Sequence, residues 1–239
     1  MTKLLLLLLS SLKFGKLATT GGSMLLSLGV YAAMWGWRFA AGFIGLLFLH
    51  EMGHFIAARQ RGLPVGAPTF VPFLGAWIEM KEMPHNAETE AYVGLGGPLF
   101  GTVASLAVYI WSRQTDSNLL LAIAYSGLFL NLFNLLPVSP LDGGRITQVL
   151  SPRIWLVGAP IMLALLFYRP SPALIIIAVL AVPQLLAAWR HDPNDPAHGA
   201  YYDTPLKTRI EYAIWYLALV GLLGVMTYEV HDMLSGVRT

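Results

Sequence analysis

The sequence predicts an all-α polytopic membrane protein of about six to seven transmembrane helices, with a short extended or β segment near residues 65–82. Three observations predict this. Of 239 residues, 56% are hydrophobic and only 12% charged, whereas a soluble domain carries about 25% charged residues. Mean hydropathy is +0.62. The apolar residues fall in runs of roughly span length, separated by polar or proline-rich breaks, and the total length suits a single membrane domain. With no cysteine, disulfides and thiolate ligands are excluded. A net charge of +2 without a long basic run gives no footing for nucleic acid.

Residues 1–21 hold the run Leu4 to Leu9 between Lys3 and the pair Lys13 and Lys16. This apolar core is too short to span, so the segment reads as interfacial or partly inserted, with a signal peptide as the less favoured alternative. Candidate spans follow at 22–37, 39–58, 88–111, 118–136, 154–168, 172–189 and 210–228. Between the second and third, Pro64, Pro68, Pro72 and Pro84 forbid a continuous helix, while the β-branched and aromatic residues of 69–80 favour extended chain. Such an apolar loop is expected to dip into the membrane against protein or water. In the third span Gly97 and Gly101 form a small-xxx-small pair suited to close helix approach. The fourth span runs into Pro137 and Pro140 while still apolar, so the freed carbonyls need partners or a wet cavity. Gly143 and Gly144 are expected to let the chain turn sharply there. The polar stretch 190–209 reads as a solvated loop. The chain thus divides into the N-terminal segment 1–21, a membrane core 22–150, and C-terminal helices with that loop, 151–239.

Cation placement orients the spans. With the N-terminus cytoplasmic and every span crossing, eleven of the 15 Lys and Arg residues fall on the cytoplasmic side and only Arg38, Arg113, Arg169 and Arg238 opposite. That puts the Arg-flanked end of the second span and Asp142 on one side of the membrane.

Chemistry concentrates in His50-Glu51-Met52-Gly53-His54, an H-E-x-x-H pattern inside an apolar run. On a helix the two histidines share a face one turn apart, so two imidazole nitrogens can reach one tetrahedral zinc, with Glu51 beside them. Ionisable side chains in hydrocarbon are costly and usually functional. A catalytic zinc takes three protein ligands and keeps an open position. Asp142 is the best third ligand, since it sits at a helix break on the matching side. Glu79, Glu82, His85, Glu88 and Glu90 lie nearer the aqueous boundary, Asp116 lies on the far side, and His191 and His198 lie in the polar loop.

These residues carry a family resemblance. His50-Glu51-Met52-Gly53-His54, followed two spans later by Asn134-Leu-Leu-Pro137-Val-Ser-Pro-Leu141-Asp142-Gly143-Gly144, resembles the site-2 protease family of intramembrane zinc metalloproteases over roughly residues 39–150. The resemblance implies His50, His54 and Asp142 as ligands of one Zn2+ per chain, Glu51 as catalytic general base, and Asn134 as a substrate-binding residue. It makes 22–150 the catalytic core and implies hydrolysis, by a zinc-activated water, of peptide bonds in or near the transmembrane segments of single-span membrane-protein substrates. The extended segment resembles the membrane-associated strand that some members use near the active site. The sequence shows no inserted PDZ-like domain and no CBS-like pair, which some members carry, so recruitment and nucleotide regulation have no visible module. The expected location is a prokaryotic plasma (inner) membrane with the site toward the cytoplasm. A metal-binding or transport protein, the main rival class, is expected to show internal repeats or ionisable residues spread through the membrane depth; neither is visible. An inactive homologue is disfavoured because Glu51 and both histidines are present.

Overall fold

The computed structural model describes residues 20–73, 75–191 and 196–236. The interfacial reading of 1–21 therefore lies almost wholly outside the described residues. The chain is helical at 20–35 (α1), then α2 Trp37–Gln60, a hairpin of β1 Val65–Val71 and β2 Gly75–Met80, α3 Ala87–Thr115, α4 Asn118–Asn134, α5 Asp142–Thr147, a 3-10 turn Pro152–Ile154, α6 Trp155–Tyr168, α7 Pro172–Trp189, α8 Pro196–Tyr202 and α9 Leu206–Gly236.

Four of these helices are long and apolar enough to cross a membrane: α2, α3, α7 and α9, with 24, 29, 18 and 31 residues. Fewer helices reach span length than the sequence predicts, and the reason is length. At 1.5 Å per residue the 17 residues of α4 reach about 26 Å, against a hydrocarbon core of about 30 Å. α6 is shorter still, at 14 residues. α2 and α3 are the central pair, with 44% and 50% of their apolar windows buried, whereas α7 and α9 bury 11% and 17% and turn most of their surface outward.

Local sequence sets the helix ends. Asn86 caps α3 by accepting from the Thr89 amide at 2.8 Å, and the Ser117 and Ser171 hydroxyls do the same for α4 and α7. Between α1 and α2 only Gly36 is non-helical, with φ +85°, a conformation that costs glycine little. There the chain reverses: Met24, Leu28 and Tyr31 of α1 share one apolar cluster with Ile44, Leu47 and Phe48 of α2 and Phe70 of β1.

The segment is extended as expected and forms an antiparallel hairpin, pairing Val71 with Gly75, Phe70 with Ala76, Thr69 with Trp77 and Pro68 with Ile78, with an irregularity between Val65 and Pro68. The Phe70 amide donates to Ser23 Oγ of α1 at 3.1 Å and the Phe73 amide to Tyr31 Oη at 2.8 Å, so α1 anchors both strand and turn. Because the Phe70 amide points away from β2, Phe70–Ala76 is a non-hydrogen-bonded pair, and so is Pro68–Ile78 two residues on. Pro68 therefore costs the ladder no donor. The backbone groups of Ala76 and Ile78 face the opposite, outer edge of β2.

The helix break after α4 does find partners for its carbonyls. Tyr216 of α9 donates to the Leu135 carbonyl at 2.6 Å, and the Val138 and Leu141 amides donate to the Leu136 and Val138 carbonyls at 2.8 and 3.0 Å. Gly143 and Gly144 differ from expectation. Both are helical, and neither has positive φ. A β-carbon on Gly143 would come within 2.2 Å of the Leu135 oxygen and one on Gly144 within 2.4 Å of the Ser139 nitrogen, so they admit backbone packed against α5. The 190–209 stretch is also not wholly loop, since it contains α8, with Pro196 at its first position.

Candidate metal centre

α2 and α3 meet backbone to backbone. A β-carbon on Gly53 would lie 2.3 Å from the Gly96 oxygen, and one on Gly96 2.6 Å from the Gly53 oxygen. This contact brings the His50 and His54 face of α2 against α3, and the packed α4 and α5 bring Asp142 onto the same point. His50, Glu51, His54 and Asp142 are all buried.

His54 Nε2 lies 3.2 Å from His50 Nε2; Asp142 Oδ2 lies 3.2 Å from His50 Nε2 and Oδ1 3.2 Å from His54 Nε2. The opposite ring nitrogens are tied outward. His54 Nδ1 donates to the Val93 carbonyl at 2.7 Å. His50 Nδ1 donates to Asn131 Oδ1 at 2.8 Å, and Asn131 is oriented by its own Nδ2 donating to the Gly127 carbonyl at 2.7 Å. A carbonyl oxygen can only accept, so the Nδ1 atoms carry protons, and in the neutral form of each ring the Nε2 lone pair points inward.

Two lone pairs and a carboxylate within 3.2 Å of one another repel unless a cation joins them. The donor set fits zinc: tetrahedral Zn2+ with bonds of about 2.0–2.1 Å separates its ligands by about 3.3 Å, close to the spacing here. The outward bonds from Nδ1 are the support such ligands need. Among the described residues this is the one cluster of His, Asp and Glu side chains whose ligand atoms converge in this way.

The other sequence candidates are engaged elsewhere. Glu88 pairs with Arg61 and Glu90 with Arg145. Glu82 and His85 are exposed, Asp116 caps the far end of α3, and His191 packs against Tyr202. The side chains of Glu79 and His198 lie outside those described.

A cavity of about 480 Å³ opens from the cluster, and both Glu51 and Asn134 line it. Ala76, Ile78 and Met80 of β2 line one wall, Phe133, Pro140 and Leu141 another, and Ile176, Ile177 and Leu180 of α7 a third. Neither the Glu51 nor the Asn134 side chain forms a hydrogen bond among the described residues.

Two features escape sequence reasoning. The first is Asn131, which rather than Asn134 supports His50; its signal is an amide one turn before Asn134 in an otherwise apolar helix. The second is the role of Gly97 and Gly101. A β-carbon on Gly97 would lie 2.2 Å from His54 Nε2, and one on Gly101 2.2 Å from Asn131 Oδ1. These glycines make room for site side chains, and Gly96 with Gly53 makes the helix contact.

The model of peptidase family M50 matches residues 38–115 and 111–155, the span that holds both histidines, Glu51, Asn131 and Asp142. This chain belongs to peptidase family M50, the site-2 protease family. M50 relatives include the zinc metalloprotease MJ0392 of Methanocaldococcus jannaschii, 31% identical over 121 residues, covering 48% of this chain and 34% of the relative. The probable chloroplastic zinc metalloprotease EGY1 of Arabidopsis thaliana is 26% identical over 156 residues, 46% of this chain and 28% of the relative. The putative zinc metalloprotease Rip3 of Mycobacterium tuberculosis is 30% identical over 134 residues, 51% and 34%. The chain thus spans about a third of the length of the curated relatives it matches.

Proposed function

We propose that this chain is an intramembrane zinc metalloendopeptidase that cleaves peptide bonds in or near the transmembrane segments of single-span membrane proteins. One observation carries the reading: two inward Nε2 lone pairs and a carboxylate converge at 3.2 Å beside Glu51, at the head of a largely apolar cavity.

His50, His54 and Asp142 would hold one zinc. Bound zinc supplies Lewis-acid polarisation of the scissile carbonyl and a water acidified to near neutral pH. Glu51, on the cavity wall, takes the proton of the attacking water and returns it to the leaving nitrogen, general base then general acid. The apolar lining limits bulk water around the reacting groups, which strengthens electrostatic contacts among them.

A helical peptide shields its own amides, so the substrate must be extended where it is cut. The outer edge of β2 supports strand addition: the backbone groups of Ala76 and Ile78 point outward, and their side chains line the cavity. Asn134, which lines the same cavity, would hydrogen-bond the substrate backbone. The split of cations supports a site toward the cytoplasm, the membrane is read as a prokaryotic plasma membrane, and α1, α4 and α6 would complete six to seven membrane-embedded helices. The test is cleavage of a labelled single-span helix by the purified chain in detergent. Chelator-sensitive cleavage, restored by zinc, is expected; cleavage indifferent to chelator overturns the reading.

A further inference from the structure

The Asp142 carboxylate has a second neighbour besides the imidazoles. Arg145, one turn along α5, places Nη1 3.9 Å from Asp142 Oδ1 and Nε 3.6 Å from Glu90 Oε1 of α3. Its Nη2 rests 3.6 Å from Met80 Sδ at the end of β2. The guanidinium is thus shared between two carboxylates without closing fully on either. Glu90 is itself held, since its other oxygen accepts a hydrogen bond from the Tyr201 hydroxyl of α8. Burial, and then the adjacent Glu90 carboxylate, push the Tyr201 phenol above its ordinary range, so it remains a donor at physiological pH.

Tyr201 has a fixed base. Arg209 Nε donates to the Thr204 carbonyl at 3.0 Å and Nη2 to that of Tyr202 at 3.1 Å, which ties the end of α8 to the start of α9. α8 lies beyond the segment matched by the family model, which ends at residue 155.

We propose that Tyr201 and Glu90 are positioning residues for the metal centre, acting through Arg145 on Asp142. Tyr201 orients Glu90, and Glu90 holds the Arg145 guanidinium back from Asp142. Without the Glu90 charge, Arg145 is free to close on Asp142 in the bidentate geometry that arginine and carboxylate favour. A guanidinium seated there competes with a cation for the same oxygen. The C-terminal part of the chain therefore sets how firmly Asp142 binds metal.

The inference rests on the reading that His50, His54 and Asp142 hold zinc, and the experiment separates the two. Zinc affinity is measured by competition with a chromogenic chelator, on detergent-purified full chains that remain monodisperse. Supporting-shell changes at zinc sites cost about 10- to 100-fold in affinity. We expect Glu90→Gln to weaken zinc about tenfold and Tyr201→Phe about threefold, one step further out on the same scale. Tyr202→Phe, next along α8, is expected to leave affinity at the wild-type value. Adding Arg145→Gln to Glu90→Gln removes the competing cation and is expected to restore most of the loss, whereas a merely structural role makes the double variant worse. Wild-type affinity in Glu90→Gln, or a double variant no tighter than Glu90→Gln, overturns the inference and leaves the metal reading standing. A wild-type chain that binds no zinc overturns both. Should Glu90→Gln fail to fold, Tyr201→Phe with and without Arg145→Gln provides the same comparison.

Discussion

Gly97 of α3 stands where the His54 imidazole lies: a β-carbon at Gly97 would come within 2.2 Å of Nε2. A glycine on one helix is thus part of the seat of a candidate metal ligand on another. Gly97→Ala forces a shift costing about 1–3 kcal/mol, the usual range for overpacking. Zinc titration is expected to show roughly tenfold or greater loss of affinity, on the scale of 1.4 kcal/mol per tenfold, with helix content by circular dichroism unchanged. Undiminished affinity would show that the ring has another seat.

Asn131 supports His50 from behind, and its replacement separates support from ligation. Asn131→Ala removes the acceptor of the Nδ1 proton, and zinc is expected to bind about 10- to 100-fold more weakly while all three ligands remain. Asn134→Ala is expected to keep zinc affinity and lose cleavage. The reverse pattern would exchange the roles of the two amides.

Glu51→Gln keeps the shape of the side chain and removes the proposed base. Zinc content is expected to stay at one per chain, and cleavage to fall by about 10²- to 10⁴-fold, the usual contribution of general acid–base catalysis. Zinc analysis beside single-turnover cleavage checks both. Full activity in this variant removes Glu51 from the mechanism.

Asp142→Ala leaves two imidazoles to hold the ion, and zinc content after dialysis against a weak chelator is expected to drop well below that of the wild type. Zinc held only by the folded site is expected to raise the melting temperature of the wild type as well. Thermal scans with and without chelator are expected to differ for the wild type and to coincide for Asp142→Ala.

Tyr216 of α9 satisfies the Leu135 carbonyl that the break after α4 leaves open. Tyr216→Phe strands a carbonyl in an apolar setting and is expected to lower stability by about 1–3 kcal/mol. A lower melting temperature with normal zinc stoichiometry is the expected pair of results.

Much of the site is legible in the sequence, because its signals are local or follow from depth. The spacing of His50 and His54 is a property of one helix, and Asp142 is marked by a proline break inside an apolar segment. The extended segment is marked by its prolines and β-branched residues. What supports the site is less legible. Asn131, Gly97 and Gly101 matter through atoms on other helices, and periodicity does not say which neighbour a bare α-carbon admits. Gly143 and Gly144 suggest a tight turn by residue type, yet they serve close backbone packing inside a helix. The polarity of 190–209 conceals α8, whose only local sign is Pro196 at its first turn. Span number is the least legible, because the apolar runs of α4 and α6 read as spans by composition although at 17 and 14 residues they fall short of the hydrocarbon core.

The alternation of β2 bears on where a substrate is cut. Only every second residue of that strand, Ala76 and then Ile78, directs its amide and carbonyl to the open side. A peptide paired there slips by one position only if its side chains exchange faces. On the proposed reading, neighbouring scission points in one substrate are spaced two residues apart, and a ragged ladder of one-residue products is not expected.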